Sequence, residues 1–146
     1  MRITQGTKRV LSLSYLSERI RSWAVARNIV DGATQKDQFI KLNSEFGELC
    51  LTTDQIDFCD PEEGTELINQ LKDDIGDNYV VLTILAAQQN VNIENLKAEE
   101  VTLCCDHVKR LGHTYGKLGD AILKGDSDGV VSYTQTALGH LSNICN

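Results

Sequence analysis

The sequence predicts an all-α fold, an antiparallel helical bundle, and three features carry that prediction. Only one proline stands in 146 residues, so helices can run long without the break that a fixed φ and a missing N–H impose. Apolar residues recur at i, i+3 and i+4 over stretches too long for strands. The connections between those stretches are short, and short loops make successive helices antiparallel neighbours. The length is that of one domain, spanning 1–146. At 41% hydrophobic and 24% charged, the chain has the composition of a globular protein with a small core.

Taken in order, residues Met1 to Thr7 read as a loose lead-in. A first helix is expected from about Leu13 to Asn28, with Leu16, Ile20, Trp23 and Ala24 on one stripe. Asp31-Gly32-Ala33-Thr34 reads as a turn whose Thr34 caps the next helix. That helix is expected from about Lys36 to Leu51, its apolar face made of Phe39, Leu42, Phe46 and Leu49. Thr52 to Gly64 is polar, contains Asp60-Pro61 and reads as a loop. A long helix follows from about Thr65 to Gln89; its valines alone would suit a strand, but its length and i/i+4 pattern favour a buried helix. After a break at Asn90 to Asn92, another helix is expected from Ile93 or Glu94 to Leu111, with Gly112 as its stop. Tyr115 to Lys124 and Val130 to Ile144 form a last pair across a Gly-Asp-Ser-Asp-Gly turn.

The formal charge is −7 and the isoelectric point is near 4.9. Such a surface repels nucleic-acid phosphate, which excludes a duplex DNA-binding role, and it suits the holding of divalent cations through carboxylates. The five cysteines (Cys50, Cys59, Cys104, Cys105 and Cys145) form no Cys-x-x-Cys pair and read as reduced, mostly buried thiols of a cytosolic protein. His107 and His113 near Cys104 and Cys105 fit no common zinc spacing. No signal peptide is expected, and no apolar run approaches the length of a membrane span.

The chain also echoes itself. Phe46-Gly47-Glu48-Leu49 returns as Tyr115-Gly116-Lys117-Leu118, and Ile75-Gly76-Asp77 as Leu138-Gly139-His140. Read as a degenerate internal repeat, the second half has lost its acids: Thr114 and Lys117 replace Glu45 and Glu48, and Ala137 and His140 replace Asp74 and Asp77. One half, about 15–96, would then be catalytic, and the pair of helices at about 113–145 structural. A helical Gly costs about 1 kcal/mol relative to Ala, so its recurrence suggests close helix packing.

Two acidic pairs carry the chemistry, Glu45-x-x-Glu48 and Asp74-x-x-Asp77. A spacing of three puts both carboxylates of a pair on one helix face, with Phe46 and Ile75 turned to the core. One such pair is usually a solvated face. Two pairs embedded in apolar helices, facing each other across a bundle, would repel strongly without cations. Oxygen donors select Mg²⁺, with Mn²⁺ as substitute, and Mg²⁺ recruits phosphate oxygens as further ligands. Lys41 lies one turn before Glu45, placed to pair with it or to contact phosphate. Trp23 reads as core or as a base-stacking surface, and Asn78 as a satisfied polar residue or a reader of sugar or base.

These residues resemble the MazG-like all-α nucleoside triphosphate pyrophosphohydrolases, the group that includes the dimeric dUTPases and many phage-encoded members. The first family motif is matched by Gln38 to Leu49 around Glu45 and Glu48, and the second by Asp73 to Leu85 around Asp74 and Asp77. Trp23-Ala24-Val25-Ala26-Arg27 also fits, and the resemblance covers about Tyr15 to Leu96. Asp74 stands where the family has Glu, Ser44 where many relatives have a further acid, and the segment after Leu111 departs from the pattern.

The resemblance implies two or three Mg²⁺ ions held by Glu45, Glu48, Asp74 and Asp77. It implies hydrolysis of a (d)NTP to (d)NMP and pyrophosphate, with a purine deoxynucleotide such as dGTP as the leaning. It further implies a homodimer or homotetramer at work in bacterial or phage-infected host cytosol, controlling the nucleotide pool; the charge and the short apolar runs add the expectation of no duplex nucleic-acid and no membrane partner. Two rivals stand beside it. A non-catalytic helical interaction module would use the acidic face for a partner. A ferritin-like di-metal oxidase would need Glu-x-x-His motifs, and no His follows a Glu by three residues.

Overall fold

The computed structural model describes residues 12–93 and 106–144. Those residues form six helices and no strand: α1 (Leu13–Ala26), α2 (Ile29–Gly32), α3 (Gln35–Phe58), α4 (Gly64–Gln88), α5 (His107–Lys124) and α6 (Ser127–Ile144). The fold class is therefore the expected all-α bundle.

Local chemistry sets most boundaries. The Ser12 hydroxyl accepts from the Tyr15 amide at the start of α1. Asn28, at φ 55°, takes the left-handed conformation that Asn tolerates and turns the chain into the single turn of α2. Thr34 caps α3 as expected, in a full capping box in which Asp37 returns a bond to the Thr34 amide. Gly125, at φ 67°, ends α5 in the left-handed region, and the Asp126 carboxylate accepts from the Gly129 amide in the first turn of α6.

Four boundaries differ from the sequence reading. α1 ends at Ala26, not Asn28, and the single turn of α2 takes in Asp31 and Gly32, which were expected in the turn before Thr34. α3 continues past Leu51 to Phe58 because its two threonines are absorbed. Thr53 bonds back to the Leu49 and Cys50 carbonyls, and Thr52 is buried against α4. α5 runs unbroken through Gly112, which does not stop a helix but makes room for a ring. α6 begins at Ser127, not Val130. The expected helix from Ile93 or Glu94 falls largely on residues outside those described, as do Cys104, Cys105 and Cys145. Cys50 and Cys59 are free thiols and only half-buried.

α3–α4 and α5–α6 form two hairpins packed on one another, with α1 laid against α4. Contacts fix the directions. Thr52 meets Asp74 while Asn78 meets Glu45, so α3 and α4 are antiparallel. Phe46 packs on Gly112 and Phe39 on Gly119, so α3 and α5 are antiparallel too. Between the hairpins lies a core of Leu42, Leu49, Leu82, Leu85, Leu111 and Leu118. The echoed aromatics Phe46 and Tyr115 meet there edge to face, 5.4 Å between ring centres. Three of the four echoed glycines do not pack closely: a Cβ at Gly47, Gly76 or Gly116 would meet nothing within 4 Å. Close approach occurs instead at Gly112 and Gly119, where a Cβ would collide with Phe46 and Phe39 at 2.8 and 2.4 Å.

Candidate metal centre

Helical spacing presents Glu45 and Glu48 from α3 to α4, and Asp77 answers from α4. One carboxylate oxygen from each lies within 4.8 Å of the others. Glu45 is buried, while Glu48 and Asp77 open to solvent. Lys41, one turn earlier on α3, pairs with Glu45, and that bond together with the charges of Glu48 and Asp77 raises the lysine's pKa. Partial burial, then Glu45, pushes the Asp77 carboxyl above the ordinary value; Lys41 opposes this, and Asp74 and Asp73 add to it. One ammonium thus leaves three converging carboxylates incompletely neutralised. The donor set is all oxygen, which fits a hard divalent cation such as Mg²⁺ or Mn²⁺.

Asp74 is placed differently from expectation. It is 1% exposed, its carboxylate accepts from the Thr52 hydroxyl and from Gln70 Nε2, and it stands outside the three-carboxylate cluster. Asn78, expected near substrate, is fully buried. Its amide nitrogen donates to the Glu45 carbonyl at 3.2 Å and the Asp74 carbonyl at 2.8 Å, and its oxygen accepts from the Tyr115 hydroxyl at 2.9 Å. Its role is therefore a clamp that holds α3, α4 and α5 in register beneath the acids. Burial pushes the Tyr115 phenol well above its usual value, so it remains a donor at any working pH.

Trp23 is not core. It is 43% exposed, with the Arg27 guanidinium 5.0 Å from its ring centre. It lines a cleft of about 350 Å³ with Leu16, Arg19, Ile20 and Val80. Leu16, Ile20 and Val80 also line a second cleft, of about 550 Å³, that reaches Gly76 and Asp77. The groove between α1 and α4 thus runs from the indole to the edge of the acidic cluster.

Sequence reasoning missed Thr52, Gln70 and the part played by Tyr115. Gln70 lies four residues before Asp74 on one helix and was legible from spacing. Thr52 depends on the register of two helices, which spacing alone does not fix. His107 Nδ1 and His140 Nδ1 lie 3.1 Å apart between α5 and α6, a contact in which one nitrogen donates and the other accepts.

The chain is 39% identical over 80 residues to an uncharacterized 18.2 kDa protein in the rep-hol intergenic region of Haemophilus phage HP1. The match takes in 55% of this chain and 43% of the phage protein, less than half of that relative's length. No protein-family model matches the chain, and no solved structure does. None of the described helices is long and apolar enough to cross a membrane.

Proposed function

We propose that the protein is a Mg²⁺-dependent nucleoside triphosphate pyrophosphohydrolase that cleaves the α–β anhydride of a (d)NTP to give (d)NMP and pyrophosphate. The observation that carries this reading is the convergence of Glu45, Glu48 and Asp77 within 4.8 Å, at the edge of a groove that leads to an exposed tryptophan. Those three carboxylates would hold the cation. Bound there, Mg²⁺ would neutralise triphosphate charge and stabilise the departing pyrophosphate.

The chain's own residues do the rest. Glu48, the exposed glutamate of the cluster, would also orient the attacking water and take its proton. Lys41 holds Glu45 in place and brings a positive charge toward the phosphates. Asp74 supports α4 through Thr52 and Gln70, and joins the ligands only if those two bonds are exchanged. The groove between α1 and α4 takes the nucleoside, with Trp23 as a stacking face for the base; a purine deoxynucleotide such as dGTP is the proposed guest. The phage origin of the relative fits work in an infected bacterium, where the proposed task is nucleotide-pool control in the cytosol by a homodimer or homotetramer.

The test is product analysis after incubation with each common NTP and dNTP plus Mg²⁺, with and without chelator. The expected result is chelator-sensitive release of monophosphate and pyrophosphate. Release of inorganic phosphate alone would place the cleavage at another bond, and no turnover under Mg²⁺ or Mn²⁺ would favour the interaction module.

A further inference from the structure

The open end of the α5–α6 hairpin holds two imidazoles that the acidic site does not use. The turn at Gly125 closes the other end. At the open end His107 begins α5, and His140 lies one turn before the end of α6. Sequence spacing sets His107 beside His113 and the cysteines; the fold pairs it instead with His140, 33 positions away. The two Nδ1 atoms stand 3.1 Å apart, with the ring planes inclined at 47°. His140 is buried, while His107 is half-buried and lines a cavity of about 520 Å³.

We infer that His107 and His140 chelate a divalent transition cation of the Ni²⁺ or Zn²⁺ class, which clasps the open end of the hairpin. Two imidazole nitrogens bound to one tetrahedral ion at about 2.0–2.1 Å stand about 3.3 Å apart, close to the separation of this pair. The facing nitrogens hold a single proton between them. A cation that takes its place sits off the line between the nitrogens, and each ring swings to aim its lone pair at it. The donating ring's Nδ1 proton passes to its own Nε2 or to solvent, so the exchange needs no co-reactant. Charge favours entry: Asp54 and Asp57 of α3 and Asp106 at the cap of α5 line the same cavity, and among the described residues no lysine or arginine does. Water completes the coordination. Imidazole donors suit Ni²⁺ and Zn²⁺, whereas Mg²⁺ demands oxygen. The site is therefore chemically distinct from the carboxylate cluster and does not depend on the hydrolase reading.

Calorimetric titration of Ni²⁺ into the full chain, free of any polyhistidine tag and in excess Mg²⁺, tests this. His107→Gln removes one ligand at a half-buried position, with circular dichroism as the check on folding. His113→Gln, at an exposed position of the same helix, and Glu48→Gln, in the carboxylate cluster, are the controls. The expected result is one Ni²⁺ per chain, bound at least about tenfold more weakly in His107→Gln and equally well in both controls. Imidazole NMR of the wild type gives a second readout that needs no variant. The chain has three histidines, and Zn²⁺ should shift the ring resonances of His107 and His140 while leaving those of His113 in place. No Ni²⁺ binding, equal affinity in His107→Gln and wild type, binding lost in Glu48→Gln, or Zn²⁺ shifts that spare His107 and His140 would each overturn the proposal.

Discussion

At the scale of single residues, the site divides into carboxylates that converge and polar groups that hold them. Glu48→Gln and Asp77→Asn each remove a converging charge without changing shape, so turnover should be lost while the helical circular dichroism spectrum is kept; activity retained in both would remove the cluster from the chemistry. Asp77 also predicts a pH dependence of stability. Its folded pKa is raised, so the folded state binds more protons than the unfolded one between the ordinary carboxylate value and the raised one. The cation-free protein should therefore melt higher as pH falls from neutrality through that raised value, and Asp77→Asn should flatten the effect in calorimetry. The clamp is testable separately. Tyr115→Phe leaves the buried Asn78 oxygen without its donor and should cost about 1–3 kcal/mol in a denaturant melt. The paired acids could be read from the sequence because three-residue spacing fixes a helix face. The clamp could not, since Asn78 joins partners 33 and 37 positions away in the chain.

At the scale of elements, helices were legible where periodicity and capping agree. Thr34 announced the start of α3, and Gly125 the end of α5, through chemistry local to each. The errors came where one residue type serves two purposes. Gly112 looked like a stop and is a seat for Phe46; Thr52 and Thr53 looked like loop and are helix, one bonded to α4 and the other to its own backbone. The glycines of α5 give a paired prediction. Gly116→Ala meets open space and should stabilise by up to about 1 kcal/mol. Gly119→Ala drives a Cβ into the Phe39 ring and should destabilise by about 1–3 kcal/mol. Thermal denaturation of the two variants decides between packing and mere helix propensity at these sites.

At the scale of the whole molecule, two antiparallel hairpins meet through Phe46 and Tyr115, and only the first carries converging acids. The second contributes Tyr115 to the clamp and buries Thr114 and His140 at the positions that echo Glu45 and Asp77. This division explains why an acidic quartet read from sequence becomes three clustered carboxylates in space. α5 packs behind α3, and the interior bonds that fix the helices also draw Asp74 inward.

The central claim is that Glu45, Glu48 and Asp77 form a divalent-cation site. Calorimetric titration of Mg²⁺ into the metal-free protein, repeated with Glu48→Gln, tests it most directly. Saturable binding that raises the melting temperature by mass action, and that is lost in the variant, is the predicted result. Binding of equal strength in both proteins, or none in either, would contradict it.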